Sequence, residues 1–373
     1  MRKSWGSCYP NWDPGERPWN RYPIFQSHAR NKKSITLDLY RPEGREVFYQ
    51  LVAIADVFVE NSVPETVEKM HATHEELVRY KPDLISLRMP AYGLSGPYSN
   101  FRSFGVQLEG TAGHTLLRGY PDMDPSTRDD VYIGDAAAGV NGAFAVAMAL
   151  RHRRRTGQGQ LIEMAQCENF VPYLGEAVMD YSMNRRVHDT VGNRHWAKAP
   201  QGVYRCKGID RWVTLAVSND SEWKALCVAM GNPSLAGDPR FANGLSRWKN
   251  HDELDRVLSA WTASLDQREA MERLQAAGVA AGMVMDEADL FVDPHMHEQD
   301  YFKQLTHADA GTHFYPGLMW TAANTPNEVR TPPCRMGEHN EYGLKDLLGL
   351  TQGQYTRLEE TGHVGMDYAS HLA

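Results

Sequence analysis

The chain has 373 residues, of which 42% are hydrophobic and 23% are charged. At about 150 residues per domain, this length predicts two or three structural units. The composition excludes a collagen-like, low-complexity or largely disordered protein. Because 39 basic residues stand against 47 acidic ones, the formal net charge of -8 argues against general binding to a nucleic-acid backbone.

The cysteine content indicates a reducing compartment. The number of cysteines is odd, and no two form a Cys-x-x-Cys pair, so neither a disulfide framework nor a thiolate zinc site is indicated. The first 22 residues lack the apolar core of a secretory signal, and no apolar run approaches the ~20 residues that span a bilayer. We therefore expect a soluble, cytoplasmic protein that binds neither nucleic acid nor a membrane. The five cysteines are Cys8, Cys167, Cys206, Cys227 and Cys334.

Residues 31–165 alternate between short apolar runs and longer amphipathic stretches, which is the pattern of parallel strands joined by helices. They predict a doubly wound, mostly parallel α/β domain of the Rossmann type. A helix is expected from about Pro42 to Ala55, and strands are expected at Val57–Val59 and Leu84–Leu87. Ligands bind at the carboxyl ends of such strands, so the polar and glycine-rich residues that follow them are candidate binding positions.

The stretch Ala136–Leu150 is apolar on nearly every side, which predicts a buried helix. It ends in the basic run Arg151–Arg155. Cations suit a helix C-terminus, so we interpret this run as a solvated helix end and not as a nucleic-acid patch. The turn Thr156–Gly159 then leads into a strand expected at Leu161–Met164.

The character of the sequence changes after Arg185, where residues 192–200 predict an ordered loop. We expect a large domain over residues 1–190, a small α+β domain over 203–290, and a return segment over 291–373 that packs on the large domain. The elements predicted beyond residue 203 are strands at Trp212–Val217 and Val279–Met285, and helices at Glu222–Met230 (capped by Asp220 or Ser221), Asp252–Ala263, Gln267–Ala277, Tyr342–Leu348 and Gln354–Glu360.

Asp135 follows Gly134 immediately before the apolar helix. One interpretation is an N-cap whose carboxylate accepts a backbone N–H hydrogen bond. The other is a nucleophile, because the helix dipole keeps a carboxylate ionised there and the glycine leaves room for a substrate carbonyl. Position alone does not choose between the two.

A short acidic and histidine-containing segment invites a metal interpretation. An Asp-Pro-His sequence after a helix is more typical of a capped turn, and no third histidine completes a site, so we expect no metal. The chain also lacks the Lys-Ser/Thr of a phosphate-binding loop and the Gly-x-Ser-x-Gly elbow of acyl hydrolases. The residues of the segment are Asp293, His295, His297 and Asp300.

Several strings together resemble the family III CoA-transferases, of the formyl-CoA transferase and CaiB/BaiF type, over roughly residues 31–350. The resemblance implies an enzyme that moves CoA from one carboxylic acid to another, with acyl-CoA and a free carboxylic acid as substrates. It also implies an interlocked homodimer and no permanently bound cofactor. The strings are Asn31–Leu39 (NKKSITLDL), Pro42–Arg45 (PEGR), Ala55–Asn61 (ADVFVEN), Gly93–Tyr98 (GLSGPY), Thr156–Gln160 (TGQGQ) and Gly337–His339 (GEH).

The resemblance also implies the site residues. The nucleophile of the family is an aspartate in a Gly/Ala-Asp-x-x-x-Gly context that opens a helix, and Asp135 matches it. It would form a mixed anhydride and then an aspartyl-CoA thioester. The implied CoA contacts are Leu37, Asn61, Lys69 and Arg102, and the two cations among them suit phosphate groups.

Three features depart from the family pattern. The chain starts beyond the β-α-β unit with which the family begins, so we expect much of that unit to be missing and a partner or longer chain to be needed. Gly105 stands where many members carry an acidic residue that assists the reaction, and Glu109, one helical turn away, is a candidate substitute. His195–Pro200 replaces a glycine-rich lid, so we expect a different substrate cover, and Trp196 favours an apolar acyl group larger than formate.

Two alternatives stay open. The same fold hosts α-methylacyl-CoA racemases, which need a histidine as well as the aspartate, whereas the matching place here holds Phe104 and Gly105. The chain could also be a structural or regulatory subunit of a two-chain transferase. The retention of Asp135 speaks against that alternative, and the missing N-terminal unit speaks for it.

Overall fold

The computed structural model describes residues 13, 15–128 and 132–368, which form two compact units. The described residues of Met1–Ala112, Val131–Gly175 and Asp293–Ala373 form unit 1, and those of Gly113–Asp130 and Glu176–Val292 form unit 2. The C-terminal return segment therefore belongs with the first unit. Residues 113–128 and 176–190, assigned from the sequence to the large domain, cluster with unit 2.

Unit 1 is built on a parallel sheet, which confirms the predicted α/β class. Its strands lie in chain order, and Leu87 of the central strand stands opposite Val59 on one side and Ile162 on the other. Unit 2 holds an antiparallel sheet, in line with its predicted α+β character. The strands of the described residues are β1 (Val57–Glu60), β2 (Ile85–Arg88) and β3 (Gln160–Glu163) in the parallel sheet, β4 (Gln201–Arg205), β5 (Trp212–Ala216) and β6 (Ala280–Val284) in the antiparallel sheet, and β7 (Lys303–His307) and β8 (Gly311–Tyr315) in a hairpin of unit 1.

Helices connect and cover these strands. Short 3₁₀ turns lie at Pro125–Thr127, Val171–Leu174, Pro233–Gly237 and Pro239–Phe241, and a π-helical turn lies at Tyr342–Leu347. The described α-helices are α1 (Pro18–Arg21), α2 (Pro23–His28), α3 (Pro42–Ile54), α4 (Pro64–Lys69), α5 (His74–Leu77), α6 (Gly105–Thr111), α7 (His114–Leu117), α8 (Ile133–Thr156), α9 (Gln166–Phe170), α10 (Gly175–Asn184), α11 (Asp220–Ala229), α12 (Gly244–Lys249), α13 (His251–Thr262), α14 (Gln267–Ala276), α15 (Glu287–Val292), α16 (Pro294–Glu298) and α17 (Gln352–Glu360).

Local chemistry explains the element boundaries. α3 begins with Pro42 at its first position, where a missing N–H and a fixed φ suit the helix. The predicted cap of α11 is wrong by one or two residues, because Asn219 and not Asp220 or Ser221 accepts the hydrogen bond from the Glu222 N–H, at 2.9 Å. The sequence pattern does not predict β4 or the β7–β8 hairpin.

The central strand β2 is buried along its whole length, as expected for a parallel strand covered on both faces. The buried Ser86 on this strand is satisfied by a hydrogen bond with His74 Nδ1 at 2.8 Å. Helix α8 packs on the strand at Gly142, where a methyl group would stand 3.0 Å from Leu87 Cδ2. This glycine therefore brings α8 close to the centre of the sheet.

Helix α8 is not the buried helix that its apolar sequence predicts. Val140, Phe144 and Met148 are 56%, 68% and 52% exposed, and they follow one side of the helix. We refer to these three residues as the α8 stripe. The basic run at the end of the helix is largely solvated, as predicted, although Arg153 also donates to the carbonyl of Asp56 at 3.1 Å.

Within the described residues, one helix is long and apolar enough to cross a membrane by length and composition, namely α8. The prediction that no apolar run approaches the length of a membrane span is therefore wrong for the stretch that forms α8. The indication is weak for a single helix, because core helices of soluble proteins meet the same two criteria. Helix α8 itself packs on β2, β3, α6 and α9.

The glycine of the PEGR string has a steric role in unit 1. A methyl group at Gly44 would overlap the Asp38 carbonyl oxygen and approach His363 Nδ1 to 3.2 Å, whereas one at Gly353 in α17 would meet nothing within 4 Å. We expect Gly44→Ala to lower the free energy of unfolding by about 1–3 kcal/mol, as overpacking does. Gly353→Ala, the matched control, should leave it unchanged or raise it by up to about 1 kcal/mol. Urea unfolding followed by circular dichroism measures both, and equal effects would contradict this role.

Candidate functional site

The carboxyl edge of the parallel sheet carries a buried ion pair. Glu60 and Arg88, which pair in register at the ends of β1 and β2, form a 2.7 Å salt bridge and expose only 10% and 8% of their side chains. The second carboxylate oxygen of Glu60 accepts a hydrogen bond from the Ser62 N–H at 2.6 Å. The pair therefore holds the turn that carries Asn61 at this edge. Sequence reasoning missed it, although opposite charges at the ends of two predicted strands were a usable signal.

Lys69, one of the two cations implied as CoA contacts, is paired with a carboxylate. Its Nζ lies 2.6 Å from Glu65 Oε1 on α4. The pKa of Glu65 is lowered, first by the hydrogen bond from Lys69 and to a smaller degree by the positive charge of Arg102. The Glu65 N–H also donates to Asn100 Oδ1 at 3.2 Å, which ties α4 to the loop before α6. Arg102, the other implied cation, is exposed in that loop.

Leu37 lies elsewhere in unit 1. It is half-buried and packs against a hydrophobic cluster that joins α3 to the C-terminal part of the chain, including Val47, Leu344 and Leu358. Beside the same string, a pocket of about 380 Å³ is lined by Lys32, among other residues. Its further cationic or titratable lining residues are Lys33, Arg330, Glu338 and His339. Neither lysine of this string was predicted to be a site residue.

The loop that replaces the glycine-rich lid belongs to unit 2. Arg194 anchors it by an ion pair with Asp252 at 2.6 Å and a second one with Asp255, both on α13. Trp196 is 44% exposed and lines, with Trp248, a pocket of about 440 Å³ within unit 2. The loop is therefore ordered, as predicted, and presents aromatic surface.

The acidic and histidine-containing segment around Asp293, for which no metal was expected, makes other contacts. Asp293 caps α16, accepting hydrogen bonds from the N–H groups of His295 at 3.0 Å and Met296 at 3.3 Å. Asp300 forms an ion pair with Lys303. In the part of the chain that the structure describes, no group of three histidine, cysteine, aspartate or glutamate residues could hold a metal ion.

The start of α8 is capped from another helix. Glu109 of α6 is buried, and its Oε1 accepts hydrogen bonds from the N–H groups of Ile133 at 2.6 Å and Gly134 at 3.4 Å. The N-cap residue Tyr132 has a left-handed backbone (φ 50°) and makes no side-chain cap. Asp135 is therefore the third residue of the helix, and its interpretation as the N-cap is wrong.

The Asp135 carboxyl group lies against α6. The residue as a whole is exposed, but a methyl group at Gly105 would stand only 2.5 Å from Asp135 Oδ2. The pKa of this carboxyl is raised, first because it is partly desolvated and second because Glu109 is negatively charged. At Gly134, a methyl group would overlap Leu108 of α6. Two glycines thus allow α6 and α8 to approach and leave Asp135 accessible.

This geometry permits nucleophilic chemistry. An accessible carboxylate in the first turn of a helix, beside backbone without side chains, can reach an electrophilic carbonyl. Gly105, at the place where a racemase would need a further proton-transfer group, has no side chain to supply one. Residues 9–340 of the chain match the family described as CoA-transferase family III.

The chain is a member of CoA-transferase family III. It is therefore a transferase, and the resemblance noted from its sequence strings is confirmed. The beta subunit of succinyl-CoA–L-malate CoA-transferase from Chloroflexus aurantiacus is 33% identical to it over 334 residues, which are 89% of this chain and 82% of that one. Succinyl-CoA–D-citramalate CoA-transferase of the same organism is 32% identical over 331 residues, again 89% and 82% of the two chains.

Solved structures agree with the family assignment. A CaiB/BaiF family protein from Brucella suis superposes on this transferase with a TM-score of 0.79 at 27% sequence identity. The match covers 88% of this chain and 84% of that protein. The mixed α/β fold with a parallel sheet is therefore that of the CaiB/BaiF proteins.

The Glu60–Arg88 pair allows a stability test at the edge of the sheet. Arg88→Met leaves Glu60 buried without its cation, so we expect the free energy of unfolding to fall by about 3–5 kcal/mol. Glu60→Leu with Arg88→Met should recover most of that loss, because no buried charge is then left alone. Lys69→Met breaks an exposed pair on the same side of unit 1 and should barely change the urea midpoint. A single Arg88→Met variant as stable as the parent chain would show that the pair does not hold this edge.

Proposed function

We propose that this enzyme moves CoA between two carboxylic acids through a covalent intermediate on Asp135. The observation that carries the proposal is the accessible Asp135 carboxyl group, held in the first turn of α8 against Gly105, in a chain of CoA-transferase family III. A carboxylate nucleophile divides acyl transfer into steps with lower barriers.

In the first half-reaction, an Asp135 carboxylate oxygen attacks the thioester carbonyl of the donor. The C–S bond breaks, and the CoA thiolate leaves with its electron pair, so a mixed anhydride remains on Asp135. The thiolate then attacks the Asp135 carbonyl carbon of the anhydride. The C–O bond breaks, the donor acid leaves as its carboxylate, and an aspartyl-CoA thioester remains.

The second half-reaction reverses these steps with another acid. The acceptor carboxylate attacks the aspartyl-CoA thioester, which releases the CoA thiolate and forms a second mixed anhydride. Attack of the thiolate on the acceptor carbonyl gives the new acyl-CoA and restores the Asp135 carboxylate. No net oxidation or proton transfer is required, and exclusion of water protects both activated intermediates from hydrolysis.

We infer a donor of the succinyl-CoA type. Both Chloroflexus relatives are named for succinyl-CoA as one substrate and for a hydroxylated dicarboxylic acid as the other. Their similarity to most of this chain favours short dicarboxylic acids over formate. The exposed aromatic surface of Trp196 supports the sequence-based expectation of a larger, apolar acyl group, so both classes belong in a substrate screen.

CoA itself is bound as a substrate in this proposal, by the residues that the family resemblance implies. Lys69 presents positive charge on α4, which follows the turn with Asn61, and phosphate oxygens would compete with Glu65 for it. Arg102 adds an exposed cation in the loop that Asn100 ties to α4. The pocket beside Lys32 offers a second cationic surface, and Leu37 lies half-buried in the adjoining string. Both surfaces suit the phosphates of CoA.

A homodimer is part of the same proposal. The α8 stripe exposes three large apolar side chains on one side of a helix, which is costly in water. A second copy of the chain would cover it, as the interlocked dimer of the family implies. The cytoplasm is the proposed compartment, which is supported by the free thiols of Cys167, Cys206, Cys227 and Cys334.

Chemical trapping tests the nucleophile. The chain is incubated with succinyl-CoA and a panel of other acyl-CoAs, quenched with hydroxylamine, and digested for peptide mass spectrometry. We expect a hydroxamate on the peptide that contains Asp135, because hydroxylamine intercepts an activated aspartyl group. Asp135→Ala should abolish both the adduct and CoA transfer, and the exposed Asp122→Ala should change neither.

An adduct that persists in Asp135→Ala would contradict this assignment. If the parent chain forms no adduct with any donor, the proposed mechanism fails and the structural-subunit alternative gains support. Incubation in deuterated water distinguishes the racemase alternative, which predicts exchange at the α-carbon without a trapped aspartyl group.

Light scattering tests the dimer. We expect a particle of twice the chain mass of 42.1 kDa at micromolar concentration. Phe144→Glu places a charge in the α8 stripe and should shift the particle to the monomer or to aggregates, because burial of an unpaired charge is unfavourable. Ile209→Glu, at an exposed apolar residue in unit 2, is the matched control. A parent chain that is monomeric, or that requires a different subunit, would contradict the homodimer.

A further inference from the structure

We propose that Glu109 is a positioning residue that fixes the start of α8 and places a second carboxyl group beside the Asp135 nucleophile. The inference rests on the proposed function, because it assigns a second residue to the reaction of Asp135. It goes beyond helix capping by giving the buried carboxyl group a role in the formation of the covalent intermediate.

The hydrogen bonds of Glu109 determine the backbone position of Asp135. Glu109 Oε1 accepts from the Ile133 N–H at 2.6 Å and from the Gly134 N–H at 3.4 Å. These are the first two amides of α8, which have no partner within the helix. Because Asp135 is the next residue, the bonds set its backbone position relative to α6. Close contact between Leu108 and Gly134 holds the same two helices together.

Two residues on one face of α6 act on the proposed nucleophile. Gly105 and Glu109 are four residues apart, so they lie one above the other on the same side of the helix. Gly105 provides the space that Asp135 Oδ2 occupies, and Glu109 provides the charge and the helix cap. A side chain at position 105 would displace the carboxyl group that Glu109 influences.

The charge of Glu109 favours the covalent states. When Asp135 is ionised, two carboxylates lie near each other in a partly desolvated site, which raises the free energy of the resting enzyme. Acylation turns Asp135 into a neutral anhydride or thioester, and its negative charge leaves on the CoA thiolate or the released acid. Repulsion is therefore present before Asp135 attacks the donor thioester and is relieved when the anhydride forms; it returns only when the last step restores the Asp135 carboxylate. The more basic carboxylate is also the better nucleophile.

Other charged groups pack around the same helices. Helix α9 packs against both α6 and α8, and β2 and β3 pack against α8. The pKa of Asp135 responds to Glu109 as its charged neighbour. The titratable or charged groups on these neighbouring elements are Arg88 on β2, Tyr132 before α8, Glu163 on β3, and Cys167 and Glu168 on α9.

The test is the pH dependence of adduct formation in the full-length chain with succinyl-CoA, or the best donor of the panel, under single-turnover conditions. Glu109→Gln retains an oxygen that accepts the two N–H bonds and removes the charge. We expect the acid limb of the rate to move to lower pH, because the negative charge that raises the pKa of Asp135 is removed. The plateau rate should fall several-fold, and the KM for acyl-CoA should not change, since Glu109 is buried.

Glu272→Gln, at an exposed glutamate on α14, is the matched control and should reproduce the parent profile. An acid limb and plateau in Glu109→Gln equal to those of the parent chain would show that Glu109 only caps α8, which overturns the inference while the Asp135 mechanism stands. If the parent chain itself forms no adduct, the proposed function fails and the inference fails with it.

A second variant serves if Glu109→Gln does not fold. Gly105→Ala leaves Glu109 in place and forces Asp135 Oδ2 away from its position against α6. We expect adduct formation to slow at least tenfold in a chain that circular dichroism shows to be folded. A parent-like rate in Gly105→Ala would overturn the inference, because Asp135 would then not depend on its placement against this face of α6.

Discussion

The structure depends on one close approach, that of α6 to the first turn of α8. Two glycines make it possible, since a side chain at Gly105 would collide with the Asp135 carboxyl group and one at Gly134 with Leu108. The same contact buries Glu109 against the free amides of α8. Packing, helix capping and the electrostatics of Asp135, the proposed nucleophile, are therefore all set by a single helix pair.

The parallel sheet supports the pair of helices α6 and α8, because α8 packs directly on it. Helix α8 lies on β2 through Gly142, and β2 carries the buried Arg88 that pairs with Glu60 at the carboxyl edge. The turn with Asn61 lies at the carboxyl ends of these strands, and α4, which ends at Lys69, follows it in the chain. The proposed nucleophile thus lies on a helix that packs on the sheet and the proposed phosphate contacts lie on connections between elements, as open α/β sheets generally arrange their ligand sites.

Much of this arrangement follows from local sequence signals. Apolar runs and helix-compatible periodicity predict β1, β2, β3, α3 and, in unit 2, α11, α13 and α14 to within a few residues, because burial and backbone geometry act over short distances. The motif around Asp135 predicts the nucleophile but not the origin of its cap, since Glu109 is 26 positions away along the printed sequence. The polar strands β4 and β7 lack a clear apolar alternation. The exposure of α8 was not predictable either, because an all-apolar helix looks the same whether its own chain or another one covers it.

The division of unit 1 into three segments affects how the chain folds. Thr36 bonds to the carbonyl of Gly365 at 2.7 Å, and Val47 of α3 packs with Leu344 and Leu358 near the other end of the chain. During synthesis, these N-terminal elements therefore wait until unit 2 and the return segment have left the ribosome. Contacts over such sequence separations carry a large loop-closure entropy and slow folding. Unit 2 consists mainly of one continuous segment, 176–292, and can form most of its contacts earlier. Unit 2 should therefore fold before unit 1, although unit 1 begins first along the chain.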